Sequence, residues 1–156
     1  REIGGHNDGG DLRRLYFAPI GLAPGSNWCA AAVWSGLRRA CARLGVAMPI
    51  AGSAGAQATM AQFKAIPDGW ITAAEARANP TLVTAGMVPV WNRSTPGELW
   101  LGHIGVTSGP VYDAEGPLFP TVEGNAGPFA DRVTAVSVRD LDDPKLFGFG
   151  RFTRGS

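Results

Sequence analysis

The sequence predicts an α+β domain in which helices from the first half of the chain pack on an antiparallel β-sheet formed by the second half. Helical periodicity and helix-cap residues are confined to residues 26–80, whereas residues 86–153 consist of short apolar or β-branched runs between turn residues. Helices followed by consecutive strands with short connections are typical of the α+β class. With 156 residues, the chain is expected to form a single domain around one core.

The strongest helix signal covers Trp28–Leu44, where Ser26 or Asn27 would cap the start and Gly45 would end the helix. Cys29 heads an apolar stripe on the helical wheel, and we expect that stripe to face the core. The other members of the stripe are Val33, Leu37, Ala40, Cys41 and Leu44.

Shorter elements surround this helix. Residues 1–25 are rich in Gly, Pro and Asn and are predicted to form an irregular lead-in with one short helical turn. Helices are expected over 56–65 and 73–78, and the second has Thr72 and Glu75 at the spacing of a capping box. The predicted strands are Met87–Asn92, His103–Ser108, Phe119–Glu123, Arg132–Val138 and Leu146–Phe152.

Charge and cysteine content exclude several classes of function. The net charge of +1 is scattered along the chain, so no nucleic-acid-binding surface is predicted. No apolar run approaches the ~20 residues that a membrane helix needs, so no membrane insertion is predicted. Cys29 and Cys41 lie on one predicted helix, about 18 Å apart along its axis, and cannot form a disulfide with each other. The sequence contains only two histidines, so no structural metal site is expected either.

Cys29 is the candidate nucleophile. A thiol reacts as the thiolate, and the unpaired amides and positive dipole end of a helix N-terminus stabilise that anion. Taken alone, the position also fits a small apolar core residue, which is what most free cysteines are.

His103 is the candidate base, and Glu123 and Asn125 are the candidates to orient it. Strand alternation puts His103 on the same face as Gly105, whose missing side chain leaves room for another backbone or a substrate to come close. Glu123 and Asn125 are two residues apart and would project to the same side of a strand, where both could hold an imidazole. The alternatives are a structural histidine and an ordinary Glu-Gly-Asn turn.

Three sequence blocks around these residues resemble the CHAP family, the cysteine- and histidine-dependent amidohydrolases/peptidases. The blocks are Asn27-Trp28-Cys29-Ala30-Ala31, Gly102-His103-Ile104-Gly105-Val106-Thr107 and Thr121-Val122-Glu123-Gly124-Asn125. The resemblance implies a papain-like fold and hydrolysis of an amide bond in bacterial peptidoglycan, as in phage endolysins and autolysins that act at the cell wall. It also implies that Cys29 is the nucleophile, His103 the base and then the acid, and Glu123 the orienting residue, with help from Asn125 and with no cofactor.

The sequence departs from the family and its relatives at two points. No carboxylate lies in Leu22–Asn27, so we expect none of the calcium sites that some members have there. The glutamine that precedes the cysteine in papain proteases is missing, so the Cys29 backbone N–H and an unidentified second donor would stabilise the oxyanion.

Substrate contacts are predicted from residues that flank the site in sequence: Asn27, Trp28, Trp91 and Trp100. Peptidoglycan is the expected substrate, and a wall-binding domain or an inhibitory immunity protein would lie outside this chain. Three alternatives remain open at this stage. They are a thioester-using acyltransferase, an inactive wall-binding module and a general protease of the papain type.

Overall fold

The computed structural model describes residues 10–23, 25–99, 101–126 and 133–152, and it has an α+β fold. The helices are α1 (Gly10–Leu12), α2 (Cys29–Leu44), α3 (Ala56–Ala65) and α4 (Ala73–Ala78), with a π-helical turn at Arg13–Phe17 and 3₁₀ turns at Ala18–Ile20 and Pro80–Leu82. The strands are β1 (Trp70–Thr72), β2 (Val88–Asn92), β3 (Gly102–Thr107), β4 (Tyr112–Asp113), β5 (Pro117–Ala126), β6 (Val133–Asp140) and β7 (Leu146–Gly150).

The strands form one curled antiparallel sheet, a half-barrel, with the N-terminal helices packed against it. Their order is β1-β7-β2-β3-β5-β4, and β6 pairs with β5. Alternate residues along the strands enter different core clusters: Val90 belongs to the cluster that includes Cys29 and Val33 of α2, whereas Trp91 belongs to a second cluster with Phe119. The sheet therefore buries apolar side chains on both faces. Among the described helices, none is both long and apolar enough to span a membrane.

Helix α2 is buried only in its first half, which corrects the predicted stripe. It begins at Cys29 with Trp28, rather than Ser26 or Asn27, in the N-cap position, and it ends at Gly45 in the left-handed conformation. Beyond Val33 the residues of the predicted apolar stripe are no longer buried: Leu37 and Cys41 are half-buried, and Ala40 and Leu44 are exposed. Periodicity identifies the apolar face of a helix but does not report how much of its length a sheet covers.

The other predicted elements are present, with differences in length. Helices α3 and α4 match the predicted ranges, and Thr72 and Glu75 form both hydrogen bonds of the capping box. All five predicted strands occur. Strands β1 and β4 were missed because three and two residues are too few for alternation to show. Of the predicted lead-in, residues 1–9 and 24 lie outside the described residues. The rest is less irregular than predicted, because helical turns cover residues 10–20 and bury Phe17 beside Trp28.

A close approach between α2 and β5 brings the first turn of the helix to the edge of the site. At Gly124 of β5, a Cβ atom would lie 2.5 Å from the Ala32 Cβ and 2.8 Å from the Trp28 ring. Such a contact is shorter than atoms tolerate, so only glycine permits this spacing. Gly124 therefore sets how near Cys29 lies to the sheet.

Candidate active site

Cys29 lies at the first position of α2, and its side chain is 4 % exposed. It lines a cavity of about 220 Å³ together with Asn27, Arg93, Leu101, Gly102, His103 and Asn125. The structure thus brings together four of the residues predicted from sequence: Cys29, His103, Asn27 and Asn125. The first helical amide has no acceptor within the helix, so the Cys29 N–H is available to a negatively charged oxygen.

His103 is held through one ring nitrogen. It lies on β3 and is 2 % exposed, and its Nε2 donates to Oε2 of Glu123 over 2.7 Å. Its Nδ1 is buried and forms no hydrogen bond within the described part of the chain. Because the carboxylate can only accept, the proton is assigned to Nε2 and Nδ1 carries the lone pair. That is the tautomer a general base needs.

Gly105 provides the space for this contact. It pairs with Glu123 across β3 and β5, and a Cβ atom at Gly105 would lie 2.8 Å from the Glu123 Cγ. The sequence predicted that this glycine leaves room for another backbone or a substrate. The space is taken by the Glu123 side chain, and the Val122 carbonyl oxygen would lie 3.1 Å from such a Cβ atom.

Glu123 is fully buried, and it accepts hydrogen bonds from three side chains. Besides His103, Thr121 Oγ1 donates to Oε1 over 2.6 Å, and Arg139 donates from Nε to Oε1 over 2.6 Å and from Nη2 to Oε2. Burial alone would raise the pKa of Glu123, but the hydrogen bonds from Arg139, His103 and Thr121 outweigh it and hold the pKa well below the ordinary value of 4.5. Glu123 is therefore a carboxylate whose charge is matched by a bidentate guanidinium.

Sequence reasoning missed Arg139 and Thr121. Thr121 lies on the same face of β5 as Glu123 and could have been found by alternation. Arg139 lies on β6 opposite Phe119, one residue past the predicted end of that strand. No local pattern connects it with Glu123.

Cys29 and His103 are both uncharged in the resting site at neutral pH. Burial raises the pKa of the Cys29 thiol above 9.0, and the nearby backbone amides of Ala30, Cys29 and Ile104 and the charge of Arg93 lower it by less. Burial likewise lowers the pKa of His103 below 6.5, and the hydrogen bond from its ring to Glu123 offsets only part of that. The backbone amides at the helix start do favour the thiolate, as the sequence predicts, but desolvation is the larger effect. The thiol needs a base.

Two of the predicted tryptophan contacts are buried. Trp91 is 5 % exposed, its ring centroid lies 5.9 Å from that of His103, and the Arg139 guanidinium carbon lies 5.4 Å from the Trp91 centroid. Trp28 stacks on Tyr16 at 5.4 Å, in the core. Trp91 therefore packs against His103 and Arg139, and Trp28 packs beside the start of α2. Their predicted contacts with a substrate stay predictions. Trp100 lies outside the described residues.

Asn125 shapes the cavity. It lies within a bulge of β5, between Glu123 and Ala126, adopts a positive φ of 60°, and donates from Nδ2 to Oδ1 of Asn27 over 3.3 Å. Since neither ring nitrogen of His103 bonds to it, the prediction that Glu123 and Asn125 both hold the imidazole is correct for Glu123 alone. Backbone strain of this kind is common at functional sites.

The described residues contain no group of three or more His, Cys, Asp or Glu side chains that could hold a metal ion. Comparisons of this chain with protein-family models, with curated proteins and with solved structures found no match. The chemistry of the site therefore carries the functional conclusion.

Proposed function

We propose that this protein is a cysteine hydrolase that cleaves an amide bond of bacterial peptidoglycan, with Cys29 as the nucleophile and His103 as the base. The observation that carries the chemistry is the state of His103, whose Nε2 is fixed by a buried carboxylate while Nδ1 has a lone pair and no hydrogen-bond partner in the described residues. His103 and Cys29 line the same cavity. Nucleophile, base and orienting residue are the parts that an activated thiol requires.

The first half of the cycle forms a thioester. His103 Nδ1 takes the proton from the Cys29 thiol, and the sulfur attacks the amide carbonyl carbon. The Cys29 backbone N–H stabilises the oxyanion, and Asn27, in the same cavity wall, is the candidate for the second donor. The carbon–nitrogen bond then breaks as His103 gives its proton to the leaving amine.

The second half regenerates the enzyme. Water enters, His103 takes one of its protons, and the oxygen attacks the thioester carbon. Cleavage of the carbon–sulfur bond releases the carboxylic acid, and His103 returns the proton to the sulfur. Throughout, Glu123 keeps the imidazole oriented and stabilises its charged form, while Arg139 keeps Glu123 ionised.

The proposed substrate class and the proposed papain-like fold both rest on the resemblance to the CHAP family. Support for a papain-like arrangement comes from a cysteine at the start of a helix that packs on a curled antiparallel sheet carrying the histidine and its partner. The resemblance makes peptidoglycan the substrate, with the bond either between sugar and stem peptide or within the peptide part. The buried Nδ1 of His103, which has no hydrogen-bond partner in the described residues, also argues against an inactive module, because an unpaired buried polar atom lowers stability.

Mass spectrometry of fragments released from purified peptidoglycan tests the proposal. The wild-type protein should release muropeptides with a free carboxyl group at the cleaved bond, and Cys29→Ala should release none. Transfer to an added amine in place of water would indicate an acyltransferase, and cleavage of casein would indicate a general protease. No release from walls of several chemistries, with Cys29 unreactive toward an alkylating agent, would contradict the proposal.

A further inference from the structure

A second cavity adjoins the one that contains Cys29. It has a volume of about 200 Å³ and shares His103 and Arg93 with the first cavity, but Cys29 does not line it. Its other lining residues are Trp91, Asn92, Arg139, Asp143 and Lys145.

Cationic side chains dominate this second cavity. Among the described residues that line it, Arg93, Arg139 and Lys145 are cationic and Asp143 is the one carboxylate. Asp143 accepts a hydrogen bond from the Lys145 backbone N–H over 2.8 Å. Arg139 is matched by Glu123. Within the described residues the Lys145 ammonium forms no ion pair, so its charge is available to a ligand. The charge of Arg93 acts on both Cys29 and His103, which places it near the reacting groups.

The chemistry of amide cleavage decides which part of a substrate would occupy this cavity, and this step rests on the proposed function. The carbonyl must lie at Cys29, and the leaving amine must lie at His103, which protonates it. A cavity lined by His103 without Cys29 therefore continues from the amine side of the bond.

We propose that the second cavity is a subsite for a carboxylate on the amine side of the scissile bond, bound by Lys145 and Arg93. The preferred substrate is then one whose amine-side product is an acidic peptide, as a stem peptide with free carboxyl groups is. A neutral cross-bridge lacks this group and gains nothing from the subsite. Because both cations are exposed, each contributes a modest amount, mainly to substrate binding.

A matched pair of soluble substrates tests this subsite. The two share the scissile amide and differ only in whether the nearest amine-side carboxyl group is free or converted to a carboxamide. Wild-type protein should favour the free carboxylate by about threefold to fivefold in kcat/KM, through KM. Lys145→Met should reduce that preference while cleavage of the carboxamide stays unchanged, and the preference should shrink as salt is added. Arg93→Met should also reduce the preference, but it should change the cleavage of both substrates because its charge acts on Cys29 and His103.

Lys64→Met is the control, because Lys64 is the other lysine of the chain and lies on α3 over the Trp70 ring. It should keep the wild-type preference. Equal cleavage of both substrates by the wild type, or an unchanged preference in both Lys145→Met and Arg93→Met, would overturn the subsite and leave the proposed function standing. Failure of the wild type to cut either substrate would overturn the proposed function and the subsite with it.

Discussion

The two halves of the candidate site are equally buried, but they are held by different forces. Cys29 is positioned by shape, because α2 packs against β3 and β5 and the contact at Gly124 sets the spacing. His103 is positioned by charge and hydrogen bonds, through Glu123 and Arg139 on two further strands. Changes in packing should therefore disturb the proposed nucleophile, Cys29, first, and changes in charge should disturb the proposed base, His103, first.

Removal of either reacting group should have the largest effect. Cys29→Ala and His103→Ala are each expected to lower kcat/KM by a factor on the order of 10³ or more, because one group cannot act without the other. Fragment release from peptidoglycan measures this loss. Cys41→Ala is the matched control, since Cys41 lies half-buried on the same helix and should leave activity and stability nearly unchanged. A Cys29→Ala protein with a tenth of wild-type activity would contradict the assignment.

Removal of the orienting carboxylate of Glu123 should have the second-largest effect on activity. Glu123→Ala is expected to lower kcat/KM by on the order of 100-fold, because His103 loses its tautomer and its orientation. The free energy of unfolding should fall by about 3 kcal/mol in chemical denaturation, since the guanidinium of Arg139 loses its buried partner. Glu123→Gln keeps an oxygen that can accept from Nε2 and should retain more activity than Glu123→Ala. Equal activity of these two variants would show that His103 is held by something else.

Loss of the Arg139 charge should change the pH dependence of activity. Activity needs neutral His103, so kcat/KM falls as pH falls through its pKa, which burial places below 6.5. Arg139 also lowers the pKa of His103 by its charge, so Arg139→Gln should move this acid limb to higher pH and lower kcat about tenfold. Arg139→Lys keeps the charge and should leave the limb near its wild-type position.

Proton NMR of the imidazole gives an independent reading of this shift. The chain has only two histidines, so His6→Gln assigns the signals directly. A purely structural role for Arg139 would lower activity without moving either the acid limb or the His103 resonance.

The smallest effects on activity are expected from two glycine substitutions. They test separately whether packing positions Cys29 and whether charge and hydrogen bonds position His103. Gly124→Ala forces α2 away from β5, so kcat should fall severalfold while the pKa of His103 stays unchanged. Gly105→Ala presses on the Glu123 side chain, so the pKa of His103 should change. Each added methyl group should cost about 1–3 kcal/mol of stability, measured by denaturation. If both variants shift the His103 pKa equally, the two halves of the site are not held independently.

The sequence predicted the residues whose roles depend on local pattern. Cys29 at a helix start and the Glu123 partner of His103 could both be identified from short blocks and strand alternation. Arg139 could not, because its contact with Glu123 depends on the register of β5 and β6, which no local signal fixes. The depth of burial of Trp28 and Trp91 could not be predicted for a similar reason, since closeness to the site in sequence does not tell which neighbours a ring packs against.

A covalent intermediate on Cys29 is the most direct test of the whole assignment. Wild-type protein is mixed with substrate, quenched in acid and mapped by mass spectrometry of its peptides. We expect the acyl part of the substrate as a thioester on the peptide that contains Cys29, with Cys41 unmodified, and no adduct in His103→Ala. Steady cleavage with no acyl group on Cys29, or an acyl group on another residue, would contradict Cys29 as the nucleophile.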